Sequence, residues 1–176
     1  MLRIFGKIQR TGIVTEPLPK IDEPALEQIG AQLKEKIGEL FGGSLAIRQV
    51  DAGSCNGCEL EIHALNNPYY GIERFGVHFV ASPRHADMLL VTGPVSRHME
   101  AALRRTYDAT PNPKLVIAVG ECGANGGEFG VSYASCGAVA NVIPVDGVIR
   151  GCPPTPLDLV RGILEAIGRH RSRASK

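Results

Sequence analysis

The chain alternates short apolar runs with amphipathic segments, and this alternation restricts the folds that are open to it. The strand-length runs are LAIRQV from Leu45, VHFVA from Val77, MLLVTG from Met88, LVIAVG from Leu115 and the shorter VIPV from Val142. Between and after them, helices are predicted at 58–66, 97–107 and 156–167. Continuous apolar strands that alternate with helices are typical of a parallel sheet covered on both faces. The sequence therefore predicts an α/β fold, in which ligands bind beyond the carboxyl ends of the strands.

An arm and an amphipathic helix precede the first predicted strand. Pro17 and Pro19 interrupt regular structure, so residues 1–20 are predicted to form an irregular arm. A helix is expected from Asp22, which can cap it, to Phe41, with apolar residues three or four positions apart: Leu26, Ile29, Leu33, Ile37 and Leu40. This stripe has two open interpretations. The helix packs on its own domain, or it docks on a partner subunit or a membrane surface.

We divide the chain into three parts: 1–44 for the arm and docking helix, 45–168 for the main domain, and 169–176 for a basic tail expected to fray. The 19 Lys and Arg residues nearly balance the 18 Asp and Glu residues, so nucleic-acid binding is not expected. We find no signal peptide and no apolar run of the roughly 18–20 residues that a membrane span needs. A cytosolic protein is expected, in which stable disulfides are rare.

Four of the five cysteines follow predicted strands. Cys55 and Cys58 form a C-x-x-C pair after LAIRQV. Cys122 follows LVIAV in GECGANGG, and Cys152 follows VIPV in GCPPTP. Because the carboxyl ends of parallel strands meet at one edge of a sheet, we expect these four thiolates to converge. Nearby glycines allow the backbone to approach a bound group closely: Gly53, Gly57, Gly123, Gly126, Gly127 and Gly151.

Four converging thiolates can bind a structural zinc ion or a 4Fe–4S cluster. The spacing favours the cluster, because Cys122 and Cys152 lie on separate turns and not in a second C-x-x-C pair. A thioredoxin-like dithiol would explain Cys55 and Cys58 but would leave the other two turns without a role. The fifth cysteine, Cys136, is predicted to be a small buried apolar residue, with a role near the cluster left open.

Four motifs, in order over residues 50–168, resemble a known family: CNGCELEI, SPRHADMLLVTGPV, GECGANGG and PVDGVIRGCPPTP. They resemble the electron-transferring small subunits of membrane-bound [NiFe] hydrogenases of the formate-hydrogenlyase and energy-converting type, which are related to the 20 kDa subunit of respiratory complex I. The resemblance implies a flavodoxin-like fold and one 4Fe–4S cluster, with Cys55, Cys58, Cys122 and Cys152 as its ligands.

The same resemblance implies a peripheral position on the cytoplasmic side of a membrane complex. The implied partners are a NiFe-type large subunit, a ferredoxin-like iron–sulfur subunit and membrane-integral subunits. The C-x-x-C pair and Thr155 favour the hydrogenase branch, since complex I subunits have adjacent cysteines and an Arg in the last turn. A complex I-like quinone oxidoreductase subunit without NiFe is the alternative, and a zinc-stabilised four-cysteine adaptor is an alternative of another class.

Several charged residues near these motifs have two interpretations. Glu59 and Glu61 could relay protons or tune a redox potential, or they could simply be acids near a helix N-terminus. The second interpretation is favoured for both, and Glu61 is kept as the candidate proton relay. Glu121, beside Cys122, is similarly open. The SPRHAD segment precedes a strand, so Arg84, His85 and Asp87 are expected to serve structure or a subunit contact, at the far edge of the sheet. No Walker loop or G-x-G-x-x-G motif is found, so no nucleotide is expected.

Overall fold

The computed structural model describes residues 2–12 and 23–174. The strands are β1 (Leu45–Asp51), β2 (Val77–Phe79), β3 (Met88–Thr92), β4 (Val95–Ser96), β5 (Leu115–Val119), β6 (Ser135–Gly137) and β7 (Gly147–Ile149). The helices are α1 (Leu2–Thr11), α2 (Glu23–Phe41), α3 (Gly57–Ala64), α4 (Arg97–Ala109), α5 (Gly120–Asn125) and α6 (Pro156–Ala174). Short 3-10 turns occupy Ile72–Phe75, Pro83–His85 and Val139–Asn141.

The main sheet has five parallel strands in the order β2–β1–β3–β5–β7. Counted within the sheet, this is the 2-1-3-4-5 order of flavodoxin-like folds. Strands β4 and β6 form a separate antiparallel pair, in which Val95 lies opposite Gly137. The predicted parallel α/β fold is confirmed.

Two apolar cores lie on the two faces of the sheet, because alternate residues of each strand point to opposite sides. On one face, Ile47, Met88 and Ile117 pack with residues of α2, α3 and α6. On the other, Val91 and Val116 pack with residues of α4 and of the Val139–Asn141 turn. Every residue of β3 and β5 is buried, which explains their uninterrupted apolar sequences.

Helix α2 is built into the domain that follows it. Its side chains Leu33 and Ile37 are fully buried in the core they share with α6 and the sheet. A methyl group on Gly30 would collide with the ring of Phe75, so the ring lies directly against this helix. Of the two interpretations of the apolar stripe, packing on its own domain is the one observed. Asp22, the predicted cap, lies outside the described residues.

Four predicted elements differ from the structure. The irregular arm is wrong for residues 2–11, which form α1, because Pro17 and Pro19 lie beyond that helix and do not disturb it. The strand predicted at Val142–Val145 is wrong, since β7 comes later. Pro144 has no N–H to donate to a ladder. Asp146 instead joins the segment to β5, accepting a hydrogen bond from the Val116 N–H at 3.0 Å.

The other two differences concern helices, one longer than predicted and one not predicted. The last helix does not end at Ile167, because α6 runs through part of the predicted tail to Ala174. Cys122 lies in the short helix α5 and not in an open turn. The domain boundaries at 44/45 and 168/169 stay a prediction, although α2 and α6 share one core with the sheet.

The amino edge of the sheet carries the SPRHAD segment, as expected. Arg84 and His85 are exposed in the 3-10 turn before β3. Asp87 serves the structure, since its Oδ2 accepts a hydrogen bond from the Ala46 N–H at 2.9 Å and thereby ties β3 to β1. This edge is opposite to the one that carries the cysteines.

Candidate metal centre

Four cysteines lie just beyond the carboxyl ends of three parallel strands. Cys55 follows β1 and is exposed, and Cys58 is buried in the first turn of α3. Cys122 lies in α5 after β5 and is partly buried, whereas Cys152 follows β7 and is exposed. The sheet thus brings the four predicted residues to one edge, which is the edge that the sequence predicts.

The turn that carries Cys55 is shaped by polar side chains. Asp51 Oδ1, at the end of β1, accepts hydrogen bonds from the N–H groups of Gly53 at 2.9 Å and Ser54 at 3.0 Å. Ser54 Oγ then accepts one from the Asn56 N–H at 3.1 Å. Partial burial would raise the pKa of Asp51, but the hydrogen bonds from the backbone N–H groups of Ser54 and Gly53 and from the Ser54 side chain together outweigh it and hold that pKa below its usual value.

The cysteine sulfurs are surrounded by glycines. A Cβ on Gly120 would lie 2.7 Å from Cys58 Sγ and 3.4 Å from the Gly151 carbonyl oxygen. A Cβ on Gly127 would lie 2.7 Å from Cys122 Sγ. At Gly57, a Cβ would come within 3.6 Å of Cys55 Sγ and 3.8 Å of Pro153 Cβ. Elements from all three strand ends therefore meet around these sulfurs, and a larger residue at Gly120 or Gly127 would crowd a sulfur.

The thiols affect one another electrostatically. Burial, followed by the charges of Glu59 and of the other three cysteines of the set, raises the pKa of Cys58 to about 12. Burial, followed by the charges of Cys152 and Cys55, also raises the pKa of Cys122. Four thiolates would repel one another at this edge, and metal cations are the partners that stabilise the thiolate form.

As the side chains stand, no group of three or more His, Cys, Asp or Glu residues within residues 2–12 and 23–174 is placed to hold a metal ion. The fit of a bound group is therefore judged on donor chemistry and on the space around the sulfurs. Both suit an iron–sulfur cluster, because the donors are four thiols and the glycines allow the backbone to approach sulfur.

An ion pair joins two of the cysteine segments. Arg150 Nη1, just after β7, donates to Glu121 Oε2 at 2.9 Å. The Glu121 N–H also donates to the Gly151 carbonyl at 3.0 Å. The sequence leaves the role of Glu121 open and contains no signal for this pairing, because the two residues are 29 positions apart. Arg150 and Gly120 are the residues of this edge that the sequence interpretation missed.

The two acidic residues after Cys58 differ in environment. Glu61 is partly exposed one helical turn after Cys58, and its role as a proton relay stays a prediction. Glu59 is only 4% exposed, and neither carboxylate oxygen has a hydrogen-bond partner among the described residues. The interpretation of Glu59 as an ordinary acid at a helix N-terminus does not anticipate this burial.

Cys136 lies apart from the other four cysteines. It is buried on β6, in the core on the α4 face of the sheet, as the sequence predicts. Its Sγ donates to Glu100 Oε2 at 3.3 Å. Burial, together with this hydrogen bond, raises the pKa of Cys136.

Comparison with known proteins decides the family. Residues 55–166, a segment that contains all four cysteines of the edge, match the family described as the NADH ubiquinone oxidoreductase 20 Kd subunit. The chain belongs to this family. Subunits of this type bind a metal cluster and belong to oxidoreductase complexes, which agrees with the predicted resemblance.

Individual relatives are similar over most of the chain. Formate hydrogenlyase subunit 7 of Escherichia coli is 40% identical over 168 residues, covering 96% of this chain but 63% of that protein. The probable membrane-bound hydrogenase subunit mbhJ of Pyrococcus furiosus is 43% identical over 139 residues, 77% of this chain and 83% of that protein. The chain thus spans somewhat less than two thirds of the formate hydrogenlyase subunit.

A solved structure of a membrane complex contains the same fold. The chain resembles a subunit in the structure of the membrane-bound sulfane sulfur reductase, an archaeal respiratory membrane complex, with a TM-score of 0.63 and 32% identity. The similarity covers 84% of this chain and 78% of that one. Within the part of the chain that the structure describes, no helix combines the length and apolarity needed to span a membrane.

Proposed function

We propose that this protein is the electron-transfer subunit of a membrane-associated [NiFe] hydrogenase complex, and that Cys55, Cys58, Cys122 and Cys152 hold one 4Fe–4S cluster. The observation that carries the proposal is the meeting of these four cysteines at one sheet edge, inside the segment that matches the family. A 4Fe–4S cluster, when bound, exchanges single electrons with neighbouring redox centres.

The residues around the cysteines have separate tasks in this proposal. Asp51 holds the turn before Cys55, and the Arg150–Glu121 pair holds the turn before Cys152 against α5. Gly120 and Gly127 keep space beside Cys58 and Cys122. Backbone N–H groups and the burial of Cys58 are the means by which such a site sets its reduction potential. Glu61 is the candidate for proton transfer near the cluster.

The large subunit is the partner that we place over this edge. Cys55 and Cys152 are exposed, and three large side chains nearby are exposed as well: Phe129, Val131 and Tyr133. Phe129 lines a shallow cleft with Gly53 of the Cys55 turn. Exposed apolar groups beside a polar edge are typical of protein interfaces. A ferredoxin-like iron–sulfur subunit and membrane-integral subunits complete the proposed complex, on the cytoplasmic side of the membrane.

A second candidate has the same cluster but a different catalytic partner. The description of the family names a ubiquinone oxidoreductase subunit, and a chain that is 32% identical to this one is part of a sulfane sulfur reductase. The chain could serve in a complex I-like reductase whose large subunit holds no NiFe centre. The nickel content of the co-purified large subunit separates the two candidates.

The test is anaerobic purification of the whole complex, followed by electron paramagnetic resonance and an assay of hydrogen-dependent dye reduction. We expect one equivalent of nickel per complex and, beside the signals of the ferredoxin-like subunit, one further reducible paramagnetic signal that belongs to this subunit. Cys58→Ser and Cys122→Ser should each abolish the signal from this subunit, whereas the matched variant Cys136→Ser should retain it. Loss of the signal in Cys136→Ser alone would contradict the ligand assignment. A signal without nickel or hydrogen turnover would favour the second candidate.

A further inference from the structure

Helix α1 exposes large apolar side chains. Ile4 and Phe5 are each 65% exposed, among the most exposed large apolar residues of the chain. The helix, LRIFGKIQRT, has no acidic residue, and it carries the exposed basic residues Lys7 and Arg10. A short helix that exposes both an isoleucine and a phenylalanine is expected to bury them against something else.

No described part of the chain covers Ile4 or Phe5, as their high exposure shows. The hydrogen bonds of the described side chains of α1 are internal, from Arg10 Nε to the Gly6 carbonyl at 3.2 Å and from Thr11 Oγ1 to the Lys7 carbonyl at 2.8 Å. Among the described residues, Lys7 and Arg10 form no ion pair. The next helix differs, because the apolar stripe of α2 is already buried in the core.

The apolar and basic side chains lie on different sides of α1. Each residue of an α-helix turns the chain by about 100°, so the direction midway between Ile4 and Phe5 is about 140° from that midway between Lys7 and Arg10. A helix with an apolar side, an opposite side whose charged residues are all basic, and low overall hydrophobicity is the type that lies in the plane of a membrane interface.

We propose that α1 binds the surface of an anionic lipid bilayer. Ile4 and Phe5 enter the boundary between headgroups and acyl chains, and Lys7 and Arg10 face the phosphates of anionic lipids. The charge of the helix selects this partner, since a surface of anionic headgroups attracts clustered Lys and Arg and is not opposed by any acid on α1. The proposal goes beyond the electron-transfer function and does not rest on it, because lipid binding requires no cluster.

The test is flotation of the full chain with vesicles of phosphatidylcholine, alone or with about one third phosphatidylglycerol. We expect the chain to float with the anionic vesicles and to be released by high salt, because the attraction is screened. The double variant Lys7→Glu/Arg10→Glu should lower the partition coefficient on anionic vesicles at least about tenfold. Ile4→Ser/Phe5→Ser should lower it by a similar factor, because the buried apolar area is lost.

The charge-matched control is Lys34→Glu/Arg105→Glu, which makes the same change in net charge at exposed positions of α2 and α4. This control should bind anionic vesicles within about twofold of the unmodified chain. Equal loss of binding in the control would overturn the proposal, because net charge alone would then explain it. The proposal is also wrong if the unmodified chain binds neither vesicle. In that case, a loss of complex assembly in the Ile4→Ser/Phe5→Ser variant would show that α1 binds a protein subunit and not lipid.

Discussion

The side chain of Arg150 donates to Glu121 across the candidate cluster edge, with 2.9 Å between Nη1 and Oε2. Arg150 lies two residues before Cys152, and Glu121 lies one residue before Cys122. The pair therefore connects two segments whose cysteines must keep a fixed separation to bind one group. Since both side chains are partly or largely exposed, solvent screens the pair and its worth to overall stability is small.

Breaking this pair should affect the site more than the fold. We expect Arg150→Gln and Glu121→Gln each to lower the free energy of unfolding by less than about 1 kcal/mol in urea titrations. Both should nevertheless release iron faster under a chelator. The control is Glu165→Gln, which breaks a pair of 3.4 Å on α6 far from the cysteines and should leave iron release unchanged. Equal rates of iron release from all three variants would show that the Arg150–Glu121 pair does not position the cysteine segments.

A methyl group at Gly120 should damage the site directly. Gly120 has a φ of +79°, and its Cβ would lie 2.7 Å from Cys58 Sγ. Gly130 is a matched control, because its φ is +52° but nothing lies within 4 Å of a Cβ there. We expect Gly130→Ala to cost about 1 kcal/mol of unfolding free energy and Gly120→Ala about 2 kcal/mol or more. Iron content should fall only in Gly120→Ala, and equal iron content in both would be evidence against crowding at Cys58.

The buried thiol of Cys136 should respond to Glu100. Burial and the hydrogen bond to this carboxylate raise the pKa of Cys136, so little thiolate forms near neutral pH. Glu100→Gln removes the negative charge and should lower that pKa. We expect Cys136 to be alkylated by iodoacetamide at least about twofold faster at pH 8 in this variant, measured by mass spectrometry. The control Glu165→Gln should not change the rate, and an unchanged rate in Glu100→Gln would argue against the contact.

The turn before Cys55 should lose stability in acid. The pKa of Asp51 is lower in the folded chain than in the unfolded chain, where it is about 3.9. The ionised carboxylate therefore adds fully to the free energy of unfolding above the unfolded pKa, and this contribution is lost as the pH falls through the lower folded pKa. At pH 7, Asp51→Asn should be less stable than the unmodified chain by up to about 1 kcal/mol. This difference should close below about pH 4. Urea unfolding across this pH range measures it.

The control for that titration is Asp108→Asn, which changes an exposed carboxylate on α4. At pH 7 its free energy of unfolding should lie within about 0.5 kcal/mol of that of the unmodified chain. A difference at Asp51→Asn that stays constant down to pH 3 would mean that the carboxylate charge does not stabilise the turn.

The parts of the fold that the sequence predicts well are those decided by local pattern. Strands β3 and β5 are continuous apolar runs, and such runs have few alternatives to a buried parallel strand. Convergence of the four cysteines follows from topology, because every parallel strand ends at the same edge. No knowledge of side-chain contacts is needed for either inference.

The parts that the sequence does not predict depend on tertiary contacts. The burial of Glu59 depends on what packs over α3, and the Arg150–Glu121 pair depends on the register of β5 with β7. The sequence predicts the last strand too early, at 142–145, because VIPV is more apolar than the GVI of β7, although Pro144 disfavours a ladder there. None of the described side chains of helix α1 belongs to either core, so their sequence pattern does not predict the helix.

The most direct test is the metal and sulfide content of the anaerobically purified chain, measured together with zinc. We predict four irons and four acid-labile sulfides per chain and no stoichiometric zinc, because the proposed ligands Cys55, Cys58, Cys122 and Cys152 would hold one 4Fe–4S cluster. Replacing any of these four by Ser should lower the iron content, and Cys136→Ser should not. One zinc per chain without sulfide would contradict the electron-transfer function and would identify a zinc-stabilised domain.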